Sequence, residues 1–334
     1  MVHSMSNVQT REAALQIANQ VQNRLKRSVI GRDEVIELVV IALLSDGHVL
    51  LEDYPGSGKT TLAKALGDSL VDDQPNDSIE AMRRVQFTPD LLPSDVTGTT
   101  IFDPESKRFF FRHGPVFAHV LLADEINRTS PKVQSALLEA MSEKQVTVDN
   151  KTYPLDDLFF VIATQNPLDL AGTFPLPNAQ LDRFLFKIKM THIENAAELD
   201  LLMRFDDIKK GAQDDLPRVK RGDLVAAREV LMREVHIAPQ IKQALVMLAE
   251  ETRQSNRSLQ GVSTRSLVLA LPALQARALL HGRSFVIPED LQVLAPTIFA
   301  HRLMMAPGAG EPETVIEEAL VRPMEFLSKA AIQK

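Results

Sequence analysis

Residues 54–61, Tyr-Pro-Gly-Ser-Gly-Lys-Thr-Thr, combine two glycines with a lysine and two threonines. They follow a short apolar segment and precede a segment with helical periodicity, as a phosphate-binding loop does. Glycines let successive backbone N–H groups turn toward phosphate oxygens, and the start of a helix adds partial positive charge. We therefore predict that Lys59 contacts phosphate oxygens and that Thr60 coordinates Mg²⁺. The predicted binding residues of the loop are Pro55, Gly56, Ser57, Gly58, Lys59, Thr60 and Thr61.

The loop departs from the strict phosphate-loop pattern at its first position. The pattern Gly-x-x-x-x-Gly-Lys-Ser/Thr requires a glycine at position 53, where this chain has Asp53. An ordinary glycine-rich turn with an exposed lysine is the alternative interpretation. The preceding strand, the two glycines, the lysine and the threonine together favour the phosphate loop.

Two carboxylates, Asp124 and Glu125, end an apolar segment that includes Val120. In an open parallel sheet, ligands bind at the carboxyl ends of the strands. Asp124 is therefore predicted to lie beside Thr60 in the shell of Mg²⁺, through a water molecule, and Glu125 to act on the water that attacks the γ-phosphate. A surface Asp-Glu pair that caps the next helix is the alternative, and the phosphate loop upstream disfavours it.

A third apolar segment, 158–163, leads to Asn166 and Pro167. The amide of Asn166 is suited to orient the same water and to contact the γ-phosphate. A turn-forming asparagine before proline is the competing interpretation. Taken alone, this segment favours the turn.

The elements around these motifs predict an α/β half followed by a helical half. Continuous apolar segments separated by helical periodicity are typical of a parallel sheet covered by helices. Strands are predicted at 48–52, 84–87, 119–123, 158–163 and 184–189, and hairpins at 99–112 and 146–154. Helices are predicted at 33–44, 59–70, 197–209, 223–233, 238–251, 264–282 and 289–301, with no strand after about residue 192. The predicted units are a nucleotide-binding core at 1–192, a linker at 193–216 that contains the polar run 209–215, and a helical domain at 217–334.

Composition and charge exclude other classes of protein. The 334 residues carry a net charge of −7, which argues against a generic nucleic-acid or membrane-surface binder. The absence of cysteine excludes disulfides, thiolate metal sites and cysteine nucleophiles. The first thirty residues lack the apolar core of a secretory signal, and the longest apolar-rich stretch, 35–44, is too short to span a bilayer. We expect a cytoplasmic protein without membrane insertion.

The order of the motifs, which is phosphate loop, Asp-Glu and then Asn, each after a strand, resembles that of the AAA+ ATPases. Finer strings resemble the MoxR family: Leu-Glu-Asp-Tyr-Pro-Gly-Ser-Gly-Lys-Thr at 51–60, Gly-Pro-Val-Phe at 114–117, Asp-Glu-Ile-Asn-Arg at 124–128, Ala-Thr-Gln-Asn-Pro at 163–167, Leu-Asp-Arg-Phe at 181–184 and Gly-Val-Ser-Thr-Arg at 261–265. The resemblance runs from about residue 19 to about residue 303. It implies a P-loop AAA+ core, with a parallel sheet flanked by helices and two β-hairpin inserts, followed by an all-α lid. Asp53 is compatible with this family, in which the first loop residue varies.

The resemblance also implies roles for individual residues. Asn166 resembles sensor 1, and Arg183 resembles the arginine finger that completes the active site of the neighbouring subunit. Arg265 resembles sensor 2, which reports the nucleotide to the lid. Ile30 and Gly31 resemble the segment that packs against adenine.

Each of these assignments has a structural alternative. Arg183 could form a surface ion pair with its neighbour Asp182, and Arg265 could cap or pair within its own helix. The aromatic triplet at 109–111 of the first hairpin is predicted to be strand core rather than a partner contact. Arg128 could touch a neighbouring subunit, but the sequence does not favour that role.

As to function, the MoxR resemblance implies an ATPase that hydrolyses ATP to ADP and phosphate with Mg²⁺. Its implied task is chaperone-like remodelling, maturation or activation of protein complexes or metalloenzymes. The implied assembly is a homo-oligomer, expected as a hexameric ring, with protein clients and an association with a von Willebrand A-domain protein.

Two alternatives to this function stay open. One is a nucleic-acid motor of the helicase-like AAA+ branch, and the net charge counts against it. The first-insert residues that would meet phosphates in such a motor are Lys107, Arg108, Arg112 and His113. The other is a nucleotide-gated scaffold with little turnover. The presence of both carboxylates at 124–125 and of Arg183 counts against the scaffold.

Overall fold

The computed structural model describes residues 8–52, 57–73, 79–167, 172–204 and 216–332 of the chain. Two helices, α1 (Arg11–Ser28) and α2 (Asp33–Leu44), precede the first strand. The Thr10 hydroxyl accepts the backbone N–H of Ala13 at 3.2 Å and caps α1. Gly31 has a φ of +70° in the turn between the two helices, a conformation that side chains disfavour.

A five-stranded parallel sheet follows, interleaved with helices. Its strands, in spatial order, are β10 (Phe186–Lys189), β1 (Val49–Glu52), β9 (Phe160–Gln165), β6 (Ala118–Asp124) and β3 (Glu80–Gln86). The helices of this half are α3 (Lys59–Asp68), α4 (Pro93–Thr97), α5 (Pro131–Glu143) and α6 (Asn178–Leu181). This arrangement confirms the predicted α/β fold class.

The sheet lies between two apolar layers, because alternate residues of each central strand face opposite sides. Val120 and Leu122 of β6 pack with α1, α2 and the helical half. Leu121 and Ala123 pack on the other side, with α5 and the two hairpins. All seven residues of β6 are buried, as a strand covered on both faces requires.

Two hairpins project from the second layer. They are β4–β5 (Gly98–Asp103 and Arg108–His113) and β7–β8 (Gln145–Val148 and Lys151–Pro154). Asp149 and Asn150 both have positive φ, as a two-residue hairpin turn of type I′ requires. Both hairpins therefore form where the turn residues predicted them.

The prediction that the aromatic triplet is strand core is wrong for two of its three members. Phe109 is 73% exposed and Phe110 is 50% exposed, because a projecting two-stranded hairpin has no second layer over its outer part. Phe111 alone packs inward, where its ring stacks on that of Tyr153 in the other hairpin at 3.9 Å between centroids.

The remainder of the chain is mainly helical. Its helices are α7 (Asn195–Met203), α8 (Arg221–Glu234), α9 (Pro239–Gln254), α10 (Thr264–Leu280), α11 (Pro288–Phe299) and α12 (Pro312–Ile332). No helix of the described ranges is both long and apolar enough to cross a bilayer. The predicted linker run 209–215 lies outside the described residues.

The prediction that strands stop after residue 192 is wrong in detail. Short strands occur at β11 (Val219–Lys220), β12 (Ser258–Gln260) and β13 (Met304–Met305). β11 pairs with β2 (Leu70–Val71) of the first half, and β12 pairs with β13. Pairings of two or three residues carry no alternating pattern, so the sequence could not reveal them.

Candidate functional site

The carboxyl ends of β1, β6 and β9 meet at one edge of the sheet, here called the carboxyl edge. Glu52 pairs in register with Gln165, and Ala123 pairs with Ala163, so the last residues of the three strands lie level. The Gln165 amide donates to the Glu52 carboxylate at 2.6 Å. Polar side chains that follow these strands therefore face one region.

The phosphate-loop candidates begin α3 at this edge. Gly58 precedes the helix with a φ of +94°, a conformation natural to glycine, and Lys59 and Thr60 occupy the first helical turn. Thr60 and Thr61 are both exposed to solvent. The hydroxyl oxygen of Ser57 is buried and has no hydrogen-bond partner within the described part of the chain. Pro55 and Gly56 lie outside the described residues.

Asp124 has both carboxylate oxygens engaged. Its Oδ1 accepts the hydroxyl of Thr164 at 2.8 Å, and its Oδ2 accepts Nη2 of Arg84 at 2.6 Å. The Asp124 side chain is only 10% exposed, whereas that of Arg84 is 48% exposed. Oδ1 is thus bound by the buried Thr164 and Oδ2 by the half-exposed Arg84.

Glu125 lies in a conformation that side chains rarely adopt, with a φ of +58°. Its N–H donates to the Thr164 hydroxyl at 2.8 Å, so a single threonine holds the backbone of Glu125 and the carboxylate of Asp124. The Glu125 carboxylate accepts Nε2 of Gln86 at 2.7 Å and lies 3.2 Å from Nε of Arg128. Backbone strain of this kind is common where a side chain must be aimed at a reacting group.

Asn166 follows β9 directly and is 9% exposed at the same edge. The backbone carbonyl oxygen of Asn166 accepts the side-chain amide of Asn127 at 3.5 Å, and Asn127 is the third residue after Asp124. The structure therefore brings Asn166, the two carboxylates at 124–125 and the start of α3 to one edge of the sheet.

The residues that resemble an adenine-binding segment border a cavity of about 380 Å³. Gly31 lines it together with Lys189, Ile193 and Ala197, whereas Ile30 does not line it. A Cβ on Gly31 would lie 2.6 Å from the Cβ of Ala197, so only glycine fits without a shift. A hydrogen bond from the Lys189 ammonium to the Glu313 carboxylate raises the pKa of Lys189 above its ordinary value.

Arg183 lies at the opposite, amino edge of the sheet. It precedes β10, which runs parallel to β1, whereas Lys59 follows β1. Because each residue of a strand advances about 3.3 Å, the four-residue strands put Arg183 and the phosphate loop of its own chain more than about 10 Å apart. Arg183 donates to the hydroxyl of Ser142 at the end of α5.

Arg265 lies at the amino edge too. Its Nε is 3.7 Å from the Asp182 carboxylate, which also accepts Nε of Arg302 at 2.8 Å and the Ser266 hydroxyl at 3.2 Å. Arg265 and Asp182 line a cavity of about 320 Å³. The ion pair of Arg265 thus reaches outside its own helix, and the structure does not bring this residue to the phosphate loop of its own chain.

Three polar residues of the carboxyl edge were missed from the sequence: Arg84, Gln86 and Thr164. Arg84 and Gln86 lie two residues apart on β3, and Gln86 pairs in register with Asp124. Two polar residues at i and i+2 near the end of a strand share one face, which is the signal that could have indicated them. Thr164 lies two residues before Asn166 and resembled an ordinary buried strand residue.

Two family models match the chain. Residues 48–186 match that of the ATPase family associated with various cellular activities (AAA), and residues 250–322 match that of the AAA lid domain. The chain is 45% identical to the uncharacterized protein YeaC of Bacillus subtilis, over 93% of each chain. It is 37% identical to Chaperone MoxR1 of Mycobacterium tuberculosis, over 89% of this chain and 79% of the relative. The crystal structure of a proposed ATPase from Cytophaga hutchinsonii is similar, with a TM-score of 0.80 at 34% identity, and the match covers 92% of this chain and 96% of that one.

Proposed function

Because the chain belongs to the MoxR family of AAA ATPases, we propose that it hydrolyses ATP to ADP and phosphate and uses this cycle for chaperone-like remodelling of protein complexes. The observation that carries the proposal is the meeting of α3, the carboxylates at 124–125 and Asn166 at the carboxyl edge. Ligands of open parallel sheets bind at this edge.

The donor set at this edge fits Mg²⁺. A carboxylate oxygen and a hydroxyl, from Asp124 and Thr60, are the hard ligands that this ion takes in nucleotide sites, where phosphates and water supply the others. Asp124 and Thr60 would hold the metal, which would supply positive charge to offset the negative charge of the ATP phosphates. In the proposed site Lys59 and the N–H groups around Ser57 hold phosphate oxygens. The buried Ser57 hydroxyl, which has no partner among the described residues, is proposed to donate to the same group.

Glu125 and Asn166 are proposed to orient the attacking water. Glu125 is suited to accept a proton from that water, since its backbone is already fixed by Thr164. Its carboxylate is occupied by Gln86 in this structure, so hydrolysis requires that this hydrogen bond be exchanged for one to water. We therefore assign Gln86 the role of holding Glu125 in an inactive position.

Arg183 and Arg265 are proposed to act on the nucleotide of a neighbouring subunit. Both lie at the amino edge, on the side of the sheet away from the phosphate loop of their own chain. A planar, permanently charged guanidinium suits charge that develops on the γ-phosphate. This assignment requires a homo-oligomer with head-to-tail contacts, for which we propose a hexameric ring. For Arg265 it modifies the expected sensor role, because the arginine reads the nucleotide of the neighbour.

Protein clients, with a von Willebrand A-domain protein as an associated factor, are the proposed partners. A relative with 37% identity is named a chaperone. The exposed rings of Phe102, Phe109 and Phe110 on the first hairpin offer an apolar contact surface for such partners. We propose that this hairpin contributes to client contact.

The experiment that tests the proposal is steady-state ATP hydrolysis by two variants, alone and mixed. Glu125→Gln and Arg183→Ala should each be inactive while binding nucleotide. In a one-to-one mixture, about a quarter of the interfaces pair an intact Glu125 with an intact Arg183 from the next subunit, so activity should return to about that fraction. The exposed Glu325→Gln serves as the matched control for Glu125→Gln.

The possible results separate the proposals. Recovery in the mixture supports a site completed between subunits. Inactive variants without recovery contradict the action of Arg183 across an interface. A wild type that binds ATP without turnover at any concentration, or with any tested client, contradicts the ATPase proposal and leaves a nucleotide-gated scaffold.

A further inference from the structure

Arg84 is the cation closest to the predicted metal-binding carboxylate in the described part of the chain. Its Nη2 lies 2.6 Å from Oδ2 of Asp124, the oxygen that Thr164 leaves free. The Asp124 side chain is nearly buried, and a carboxylate with so little water requires a hydrogen-bonded or charged partner. In this structure the guanidinium of Arg84 is that partner.

The same guanidinium is connected to Glu125. Nη2 of Arg84 also lies 3.3 Å from Oε1 of Gln86, whose Nε2 donates to the Glu125 carboxylate at 2.7 Å. Arg84 and Gln86 are two residues apart on β3 and so project from the same face. The two adjacent carboxylates are thus held by one chain of hydrogen bonds from this strand.

We propose that Arg84 is a positioning residue that competes with Mg²⁺ for Oδ2 of Asp124. This inference rests on the proposed assignment of Asp124 to the metal. In the metal-free state, Arg84 neutralises Asp124 and fixes its orientation. Metal binding, directly or through a coordinated water that donates to Oδ2, displaces the guanidinium, whose 48% exposure leaves it room to move toward solvent or the nucleotide phosphates.

The competition has a functional consequence. Two cations that share one carboxylate oppose each other, and this opposition is reciprocal: Arg84 weakens metal binding as much as the metal weakens the ion pair. A divalent cation without a nucleotide therefore gains little binding free energy at Asp124. The metal enters with ATP, whose phosphates supply the missing negative charge, and the loss of the Arg84 contact frees Gln86 to release Glu125.

The test is the affinity for Mn²⁺, used in place of Mg²⁺ and measured by electron paramagnetic resonance of the free ion with saturating ADP. Arg84→Gln removes the charge but keeps a polar side chain. Its Mn²⁺ dissociation constant should fall by about fivefold or more relative to the wild type, since a unit charge at about 4–5 Å changes binding by at least this factor even in water-like surroundings. Arg84→Lys, which keeps the charge, should lie between the two.

Arg83→Gln is the matched control. Arg83 is the adjacent residue of β3, points to the other face, and pairs with Glu80 at 2.6 Å. The Arg83→Gln substitution deletes the same charge from the same strand. Because Arg83 points to the other face, its loss should change the Mn²⁺ dissociation constant by less than about twofold. Equal tightening in both variants would overturn the proposal, because it would indicate a general charge effect.

A second control uses an Asp124→Asn background. There the Arg84→Gln substitution should tighten Mn²⁺ binding clearly less than in the wild-type background, because the shared carboxylate is absent. An unchanged or weakened Mn²⁺ affinity of Arg84→Gln in the wild-type background would also overturn the proposal. Thermal unfolding and binding of a fluorescent ADP in the presence of EDTA establish that each variant is folded and binds nucleotide.

These results are distinguishable from failure of the proposed function. If the wild type binds no nucleotide, the nucleotide site itself is wrong. If it binds ADP normally and Arg84→Gln leaves Mn²⁺ affinity unchanged, the nucleotide site stands and only the competition at Asp124 is rejected.

Discussion

Two sets of buried polar groups, one at each edge of the central sheet, have different kinds of hydrogen-bond partner. At the amino edge, His48 is buried and both ring nitrogens lie against backbone groups: Nδ1 accepts the N–H of Val161 at 3.1 Å, and Nε2 lies 3.3 Å from the carbonyl of Met141. At the carboxyl edge, Asp124 and Glu125 depend on other side chains, of which Arg84 is half exposed.

This difference explains how one sheet can serve two purposes. The backbone partners of His48 cannot leave without unfolding, so the part of the amino edge around His48 is rigid. Arg183 and Arg265 at the same edge are held by the side chains of Ser142 and Asp182. Side-chain partners such as Arg84 and Gln86 can move without unfolding of the strands, which is consistent with the proposed binding of nucleotide at the carboxyl edge. The predictions below test this contrast, beginning with the largest expected effect.

The strongest test of the amino edge is Arg183→Ala. If the guanidinium stabilises the transition state at a neighbouring site, turnover should fall by about a thousandfold or more, while nucleotide affinity changes little. Initial rates and fluorescent-nucleotide titrations measure the two effects. Turnover within tenfold of the wild type would remove the finger assignment of Arg183. Arg233→Ala, at an exposed position with a similar charge, is the control.

The rigidity of the amino edge should appear as a pH dependence of stability. Burial lowers the pKa of His48 from 6.5 to about 4, because the charged ring would lose its water. The unfolded chain therefore binds a proton that the folded chain excludes, so the contribution of the neutral ring is complete above about pH 6.5 and is lost as the pH falls toward 4. The unfolding free energy should decrease by about 3 kcal/mol over this range from His48 alone.

Denaturant unfolding at several pH values measures this contribution, with His48→Asn as the comparison because its amide oxygen can still accept the Val161 N–H. The variant should show a shallower decrease between pH 6.5 and 4 than the wild type. Parallel curves for the two proteins would show that His48 does not titrate with unfolding.

Thr164→Val should disrupt the carboxyl edge by removing a buried hydroxyl group. The substitution keeps the shape of the side chain but removes the hydroxyl that binds both the Asp124 carboxylate and the Glu125 N–H. Loss of this hydrogen-bond partner by Oδ1 of Asp124 and by the N–H of Glu125 should cost about 1–3 kcal/mol of stability. Turnover should fall further than nucleotide affinity because Glu125 loses its fixed position. Calorimetry and ATPase rates measure both, with the exposed Thr152→Val as a control. Unchanged turnover would show that Thr164 has no part in orienting Glu125.

The smallest expected effect is that of Gly31→Ala at the proposed base cavity. The new methyl group meets Ala197 in a turn of positive φ, so stability should fall by about 1–2 kcal/mol and ATP affinity by a few-fold. Nucleotide titrations and thermal unfolding measure the two effects. Gly310→Ala, also at positive φ but with open space around it, separates backbone strain from the local clash. An unchanged ATP affinity would place the base elsewhere.

Long apolar strands and turn residues were accurate guides to the fold. The five strands of the sheet and both hairpins were predicted within a few residues, because full burial and turn chemistry leave strong local patterns. The 21-residue helix α12, which contains Pro323, was not predicted. The exposed Phe109 and Phe110 were wrongly predicted to be core, because composition does not tell whether a second layer covers a hairpin.

The sequence by itself determined the chemistry available at the candidate site. The glycines and Lys59, the carboxylates at 124–125 and Asn166 are recognisable because each lies at the end of a local element whose pattern is readable along the chain. Only the tertiary structure decided which groups meet across strands. Arg84 reaches Asp124 from 40 residues away, and Arg265 joins Asp182 from the helical half. Such contacts depend on strand order and domain packing, which bring distant residues together without leaving a local pattern in the sequence.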